Sequence, residues 1–243
     1  MNKKLFELSD ALDRKALAKR FATESRVQVR SILTQETATT ISQILRRETP
    51  WGIAYKVDGQ PPVKLRIDEL RANTPQQLRD IAAQVHRTAA NGDYGVRFNQ
   101  YPILDAYLQR WAPGGAHDLL LEYINAEPFL DLVREITGIP ELIKADAQAT
   151  CFAPGDFLSI HNDSHVAEGW QVAYVLNFAD PEWKPDWGGY LNFFNDDGDI
   201  VQGWRPRFNT LNLFRVPQRH NVSYVPPFAP MGRFAITGWF RDR

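Results

Sequence analysis

The stretch Gly232-Arg233-Phe234-Ala235-Ile236-Thr237-Gly238-Trp239-Phe240 alternates residue by residue. On an extended backbone Arg233, Ala235, Thr237 and Trp239 share one face, while Phe234, Ile236 and Phe240 share the other. The Phe/Ile face suits an apolar layer. The opposite face carries a cation, a hydroxyl and an indole into what should be the inside of a β structure. A buried guanidinium without an anionic partner is costly. Its partner is either a structural carboxylate or a ligand carboxylate held by the guanidinium fork.

Working back from this strand, short extended segments separated by Gly, Pro, Asp and Asn recur at 147–153, 157–161, 171–178, 189–194, 200–204, 210–214 and 221–225, with the last at 233–240. This pattern predicts a jelly roll or small barrel. The segment Pro226-Pro227-Phe228-Ala229-Pro230 is a loop, since proline cannot occupy a central strand. The N-terminal part reads as mainly helical. Leu12, Ala16, Leu17 and Phe21 recur at helical spacing after Ser9, a candidate N-cap. A short strand is expected over Val27–Ser31 and a helix over Gln35–Arg47. Thr74-Pro75-Gln76-Gln77 is a capping box with proline at the first helical position. Further helices are expected at His117–Asn125 and at Pro128–Thr137, the latter closed by Gly138. Residues 51–71, broken by Gly59-Gln60-Pro61-Pro62, read as a hairpin or an irregular insertion. The expected fold is α+β with a predominantly β core: residues 144–243 form the core, residues 1–143 are mainly helical and pack on it, and the two make one structural unit.

The chain has 243 residues, enough for one large domain with a sizeable core. Its formal net charge of −1 gives no global field toward nucleic acid or an anionic membrane. Cys151 is the only cysteine, so no intramolecular disulfide is possible and no oxidising compartment is required. The N-terminus lacks the apolar run of a secretory signal, and no run approaches the roughly 20 apolar residues of a membrane span. A cytoplasmic location is the resulting expectation.

The chemistry concentrates in the β half. In Ile160-His161-Asn162-Asp163-Ser164-His165, an extended backbone would point His161 and Asp163 at one spot. His220, at the start of a later strand, is the natural third ligand, because a barrel brings distant strands side by side. Two histidines and one carboxylate form the facial triad that leaves open positions on non-haem Fe(II). His165 is a competing ligand on the same face. His86 and His117 read as ordinary helix residues. Asp196-Asp197-Gly198-Asp199 lacks the full Ca2+-loop pattern and reads as an acidic turn. Cys151 reads as a buried small residue. Trp183 and Trp187 either pack over the barrel edge or shape a substrate entrance. Phosphate-loop, dinucleotide, zincin and nucleophile-elbow motifs are absent.

Taken together, His161-x-Asp163, Val172-Ala-Tyr-Val-Leu-Asn-Phe178, Gly188-Gly189-Tyr-Leu-Asn-Phe193, His220-Asn-Val222 and Arg233–Phe240 resemble the Fe(II)/2-oxoglutarate-dependent oxygenases, and more narrowly their prolyl-hydroxylase-like branch. The resemblance covers roughly residues 145–241. It implies a double-stranded β-helix with helices packed outside. It places Fe(II) on His161, Asp163 and His220, and pairs the distal carboxylate of 2-oxoglutarate with Arg233. Thr237 matches a position close to the cosubstrate, and Trp239 would line the same cavity. Phe152 and Asn177 stand where the branch often has cosubstrate-holding tyrosines. Asn177 is a shorter donor and Phe152 none, which leaves Tyr174 and Tyr190 as candidate replacements.

The implied activity is hydroxylation of an unactivated C–H bond with release of succinate and CO2. It requires Fe(II), 2-oxoglutarate and O2, with ascorbate as an optional stimulant. The first expectation for the substrate is a prolyl residue of a protein or peptide. The alternatives are a small molecule, such as a free amino acid or a biosynthetic intermediate, and a non-catalytic sensor that binds metal and 2-oxoglutarate. A zinc hydrolase on the same three ligands would have no use for Arg233 and Thr237. Selectivity is expected in the N-terminal helices and in the loops 51–71, 180–189 and 226–231.

Overall fold

The computed structural model describes residues 5–243 except Asp58 and His165. Along the chain, α1 (Arg14–Glu24) is followed by β1 (Arg26–Arg30), α2 (Gln35–Arg47), β2 (Gly52–Lys56), β3 (Val63–Leu65), α3 (Ile67–Arg71), α4 (Pro75–Ala90) and β4 (Val96–Tyr101). Next come α5 (Ile103–Leu108), α6 (Ala116–Ile124), α7 (Glu127–Thr137), β5 (Lys144–Ala145), β6 (Gln148–Phe152) and β7 (Phe157–His161). The rest is β8 (Trp170–Phe178), β9 (Leu191–Phe194), β10 (Ile200–Trp204), β11 (Phe208–Arg215), β12 (His220–Val222) and β13 (Arg233–Arg241).

The strands pair antiparallel in the order β1-β11-β8-β13-β6-β4-β7-β12-β9-β10. The sheet curls until β1 approaches β10, where Arg26 donates from Nε to Gln202 at 2.6 Å. This is a jelly roll, nearly closed, with helices outside. All of the expected strands of the β half are present. The N-terminal part is less purely helical than its pattern indicates, however, because β4 inserts between β6 and β7 and β1 extends the opposite edge. The helical part and the β core therefore share one sheet. In β4 the burial alternates only briefly before both Gln100 and Tyr101 are covered, so its six residues give a weak period-2 signal.

The local chemistry explains most boundaries. In α4 the Thr74 hydroxyl accepts from the Gln77 N–H and the Gln77 side chain accepts from the Thr74 N–H, completing the capping box. α7 ends at Gly138 with φ +67°, a left-handed cap that glycine adopts without strain. α1 starts later than the Ser9 cap implies. Its first turn is capped by Asp13, whose carboxylate accepts from the Ala16 N–H at 3.0 Å. Residues 51–71 form the β2–β3 hairpin followed by α3.

β8 divides the molecule. Val172, Tyr174, Leu176 and Phe178 face the helices, where they join Phe129, Leu132, Ile136, Leu211, Ile236 and Phe240 in the largest apolar core. Each such fully buried side chain contributes roughly 1.5–3 kcal/mol. Ala173 and Val175, on the other face, line the barrel interior with Leu191 and Phe214. None of the described helices is long and apolar enough to cross a membrane.

Candidate metal and cosubstrate centre

β12 pairs with β7 so that His220 stands directly opposite His161. That register unites residues distant in sequence, with ring centroids 4.1 Å apart. Asp163 arrives differently from the expected extended arm. β7 ends at His161, and Asp163 adopts φ +55°, turning its carboxylate back between the rings. Aspartate is among the non-glycine residues that enter this region most readily. His161 Nε2 lies 3.2 Å from Asp163 Oδ1 and His220 Nε2 lies 3.4 Å from Oδ2. One ligand atom from each residue lies within 4.8 Å of the others, an arrangement that could hold a metal ion. His165 lies outside the described residues.

The ring tautomers favour that role. His161 Nδ1 meets the Ser159 carbonyl at 3.0 Å and His220 Nδ1 meets the Gln218 carbonyl at 2.8 Å. A carbonyl only accepts, so each Nδ1 carries the proton and each Nε2 presents a lone pair to the carboxylate. Burial and the neighbouring His161 push His220 down to about 4, so it is neutral near pH 7. Burial alone would raise the Asp163 carboxyl, but the adjacent His161 and His220 and the Trp239 indole N–H hold it below the ordinary value. Two imidazole lone pairs and a carboxylate converging without donors of their own are complementary to a divalent cation. The residues present thus fit Fe(II).

Arg233 opens β13 and is 2% exposed. Its Nη2 donates to Asn177 Oδ1 at 3.1 Å, while its Nε and Nη1 have no partner. It makes no ion pair among the described residues, and burial pushes its pKa down to about 10. The guanidinium lies over the Phe152 ring, 5.5 Å from its centroid. Gly189 borders the Arg233 side chain, and its φ of +69° is what favours glycine there. An unpaired buried cation of this kind is complementary to a carboxylate.

A cavity of about 720 Å3 contains His161, Asp163, His220, Arg233, Thr237 and Trp239 in its walls. Asn177 does not line it. Its amide nitrogen donates to the Val175 and Thr210 carbonyls and its oxygen receives Arg233, so it acts behind the guanidinium. Tyr174 is no replacement for a cosubstrate-holding tyrosine, because its hydroxyl donates to the Asp146 carbonyl from the helix-facing side of β8. Tyr190 does not line the cavity, whereas Tyr174 reaches its wall.

Sequence reasoning overlooked two contacts. The Trp239 indole N–H donates to Asp163 Oδ2 at 3.1 Å, and the Trp239 ring stacks on Trp170 with centroids 3.9 Å apart. Trp239 sits on the Arg233 face of the strand, so its presence in the cavity was legible. Its bond to Asp163 depends on the turn after β7, which was not.

The remaining motifs are structural. Trp183 is buried, donates to the Gly188 carbonyl and meets Trp187 edge-on, and neither lines the cavity. His86 meets the Gly155 carbonyl and His117 the Thr49 hydroxyl. Cys151 is buried, with its thiol pushed up to about 12 by burial. Asp196–Asp199 turns between β9 and β10, closed by the Asp199 N–H on Asn195.

Residues 147–241 match the family model of the 2OG-Fe(II) oxygenase superfamily. No curated protein matches the chain. Among solved structures, the chain is similar to a prolyl-4-hydroxylase of Pseudomonas putida, at 17% identity and TM-score 0.58 over 98% of this chain and 95% of that one. It is similar to a 2OG-Fe(II) oxygenase family oxidoreductase of Burkholderia pseudomallei, at 11% identity and TM-score 0.61 over 98% and 96%. A prolyl hydroxylase of Trichoplax adhaerens, solved with a hypoxia-inducible-factor peptide fragment, aligns at 16% identity and TM-score 0.58 over 94% and 89%. At these identities the structural likeness is one of fold, and it extends through the N-terminal helices that the family model leaves out. Residues 147–241 thus match a domain of the 2OG-Fe(II) oxygenases, a dioxygenase superfamily that uses Fe(II), 2-oxoglutarate and O2, and they carry a His/Asp/His cluster able to hold the metal.

Proposed function

We propose that the chain hydroxylates a prolyl residue of a protein or peptide, with Fe(II) on His161, Asp163 and His220 and the distal carboxylate of 2-oxoglutarate on Arg233. The observation that carries the reading is the presence, in one cavity, of a three-ligand cluster and a buried arginine with two unpaired nitrogens. A metal-binding structural site would not need that arginine, and a structural arginine would have a carboxylate.

The bound metal and cosubstrate, with O2, supply the oxidation that yields succinate, CO2 and a hydroxylated product. The chain supplies the rest. His161 and His220 present their Nε2 atoms from paired strands, with tautomers fixed by the Ser159 and Gln218 carbonyls. Trp239 donates to Asp163 Oδ2, the oxygen beside His220, leaving Oδ1 toward His161. Asn177 aims Arg233. Phe98, Val175 and Leu191 make the surrounding wall apolar and limit water. No general base is required from a side chain.

The prolyl assignment is supported by the fold shared with two prolyl hydroxylases and by the stacked Trp170–Trp239 pair, a flat apolar wall suited to a saturated ring. The test is succinate release by the Fe(II)-loaded protein against proline-containing peptides, free proline and other free amino acids. Stimulation by peptides, with one oxygen added to proline, is expected. Stimulation by a free amino acid alone would replace the peptide substrate with a small molecule. Binding of 2-oxoglutarate without turnover by any proline-bearing compound would contradict the prolyl reading.

A further inference from the structure

Two glutamines stand in the cavity wall. Gln148 begins β6 and shares a face with Thr150 and Phe152. Gln100, on β4, is 5% exposed and pairs in register with Thr150. The Gln100 amide nitrogen donates to Gln148 Oε1. The amide nitrogen of Gln148 is left with no protein partner among the described residues. A half-exposed amide on the cavity wall keeps its donor hydrogen bonds open to a ligand held there.

Its position says what completes them. Gln148 lies opposite Thr237 on β13, whereas Phe152 lies opposite Arg233. On the same face of β13, Thr237 falls between Arg233, with its unpaired nitrogens, and Trp239, whose indole holds Asp163. A molecule reaching from Arg233 to the His/Asp cluster runs along this row. The other donors of β6 and β8 along this row are committed or absent. Phe152 has none, Asn177 faces away, Tyr174 serves the Asp146 carbonyl, and the Thr150 hydroxyl is directed at the Ala235 carbonyl at 3.4 Å. On β6 and β13, Gln148 and Thr237 remain between Arg233 and Trp239.

We infer that Gln148, oriented by Gln100, donates a hydrogen bond to the carboxylate at the metal-facing end of the 2-oxo acid. The inference rests on the cosubstrate reading above. It gives this chain an amide donor on a wall where Phe152 offers no hydroxyl, reached from a different position on the same strand. Gln148 is thus a cosubstrate-binding residue and Gln100 its positioning residue.

The test is calorimetric titration of 2-oxoglutarate into the Mn(II)-loaded protein without O2. Gln148→Met keeps the length of the side chain and removes the donor. It is expected to weaken 2-oxoglutarate about tenfold, the usual scale of one hydrogen bond to a charged group, with the ligand-free melting temperature unchanged. Gln148→Glu, which places a negative charge beside the carboxylate, is expected to weaken it further. Gln100→Met is expected to weaken it less than Gln148→Met, because the donor remains but is no longer held. Unchanged affinity in Gln148→Met and Gln148→Glu would overturn the inference. A lowered ligand-free melting temperature with unchanged affinity would do the same and make the pair structural. Failure of the unsubstituted protein to bind 2-oxoglutarate would refute the cosubstrate reading itself, a result visible before any substitution is made.

Discussion

Replacing Arg233 with methionine should leave the ligand-free protein at least as stable as before. That runs against the usual result for a buried arginine. Breaking a buried ion pair typically costs about 3–5 kcal/mol, because a carboxylate is left unpaired. Here no carboxylate among the described residues faces Arg233, and burial has pushed the guanidinium from 12.5 to about 10. Each pKa unit is worth about 1.4 kcal/mol, so the charged side chain costs the ligand-free fold roughly 3 kcal/mol. Methionine removes that cost. It also strips Asn177 Oδ1 of its donor, a loss of about 1–3 kcal/mol. The net change is therefore about 0 to 2 kcal/mol of stabilisation. Urea denaturation of the Mn(II)-loaded protein measures it, with and without 2-oxoglutarate. At a hundredfold excess over its Kd, the ligand should add about 2.7 kcal/mol to the unsubstituted protein and little to Arg233→Met. A ligand-free loss of 3 kcal/mol or more would show that Arg233 is structurally paired and refute the reasoning.

Other expectations follow from single contacts. Trp239→Phe keeps an aromatic ring against Trp170 but removes the donor to Asp163, so Fe(II) or Mn(II) affinity should fall about tenfold or more, as for other partners of metal ligands; unchanged affinity in a metal titration would mean Asp163 needs no such support. His117 is held down to about 4 by burial, near the start of α6. Its neutral form is the one the fold prefers, so its contribution is intact above pH 6.5 and is lost as pH falls toward 4. Between pH 7 and 5 this amounts to about 2 kcal/mol, and His117→Gln should remove that part of the pH dependence of urea unfolding. Thr74→Ala breaks the capping box and should cost about 1 kcal/mol in the same assay. A loss well below that would mean the start of α4 frays without consequence.

Much of the core was legible because its strands obey a strict alternation. β13 shows Arg233, Thr237 and Trp239 on one face and Ile236 and Phe240 on the other, and both the cavity and the helical core follow from it. The pairing of His161 with His220 required only that a barrel close. The capping box at Thr74 and the glycine after α7 fixed two helix ends through purely local chemistry. What was not legible depends on long-range placement. β4 has a mixed pattern, since its final two residues are both covered, and its insertion between β6 and β7 is set by tertiary pairing. Asp163 reaches its partners through a left-handed turn rather than an extended arm, so His161 and Asp163 converge through a different local geometry from the one expected. Asn177 was read as touching the cosubstrate. Its place on β8 is right, but its side chain is spent on two carbonyls and on Arg233.

The central claim is that the three-ligand cluster and Arg233 form one site. Anaerobic titration of the apo-protein with Fe(II) and then 2-oxoglutarate, followed by visible absorption, tests it most directly. The account predicts a saturable metal-to-ligand charge-transfer band that is lost in His161→Ala and needs far more 2-oxoglutarate in Arg233→Met. Tight iron binding with no band at any 2-oxoglutarate concentration, or a band indifferent to both substitutions, would contradict it.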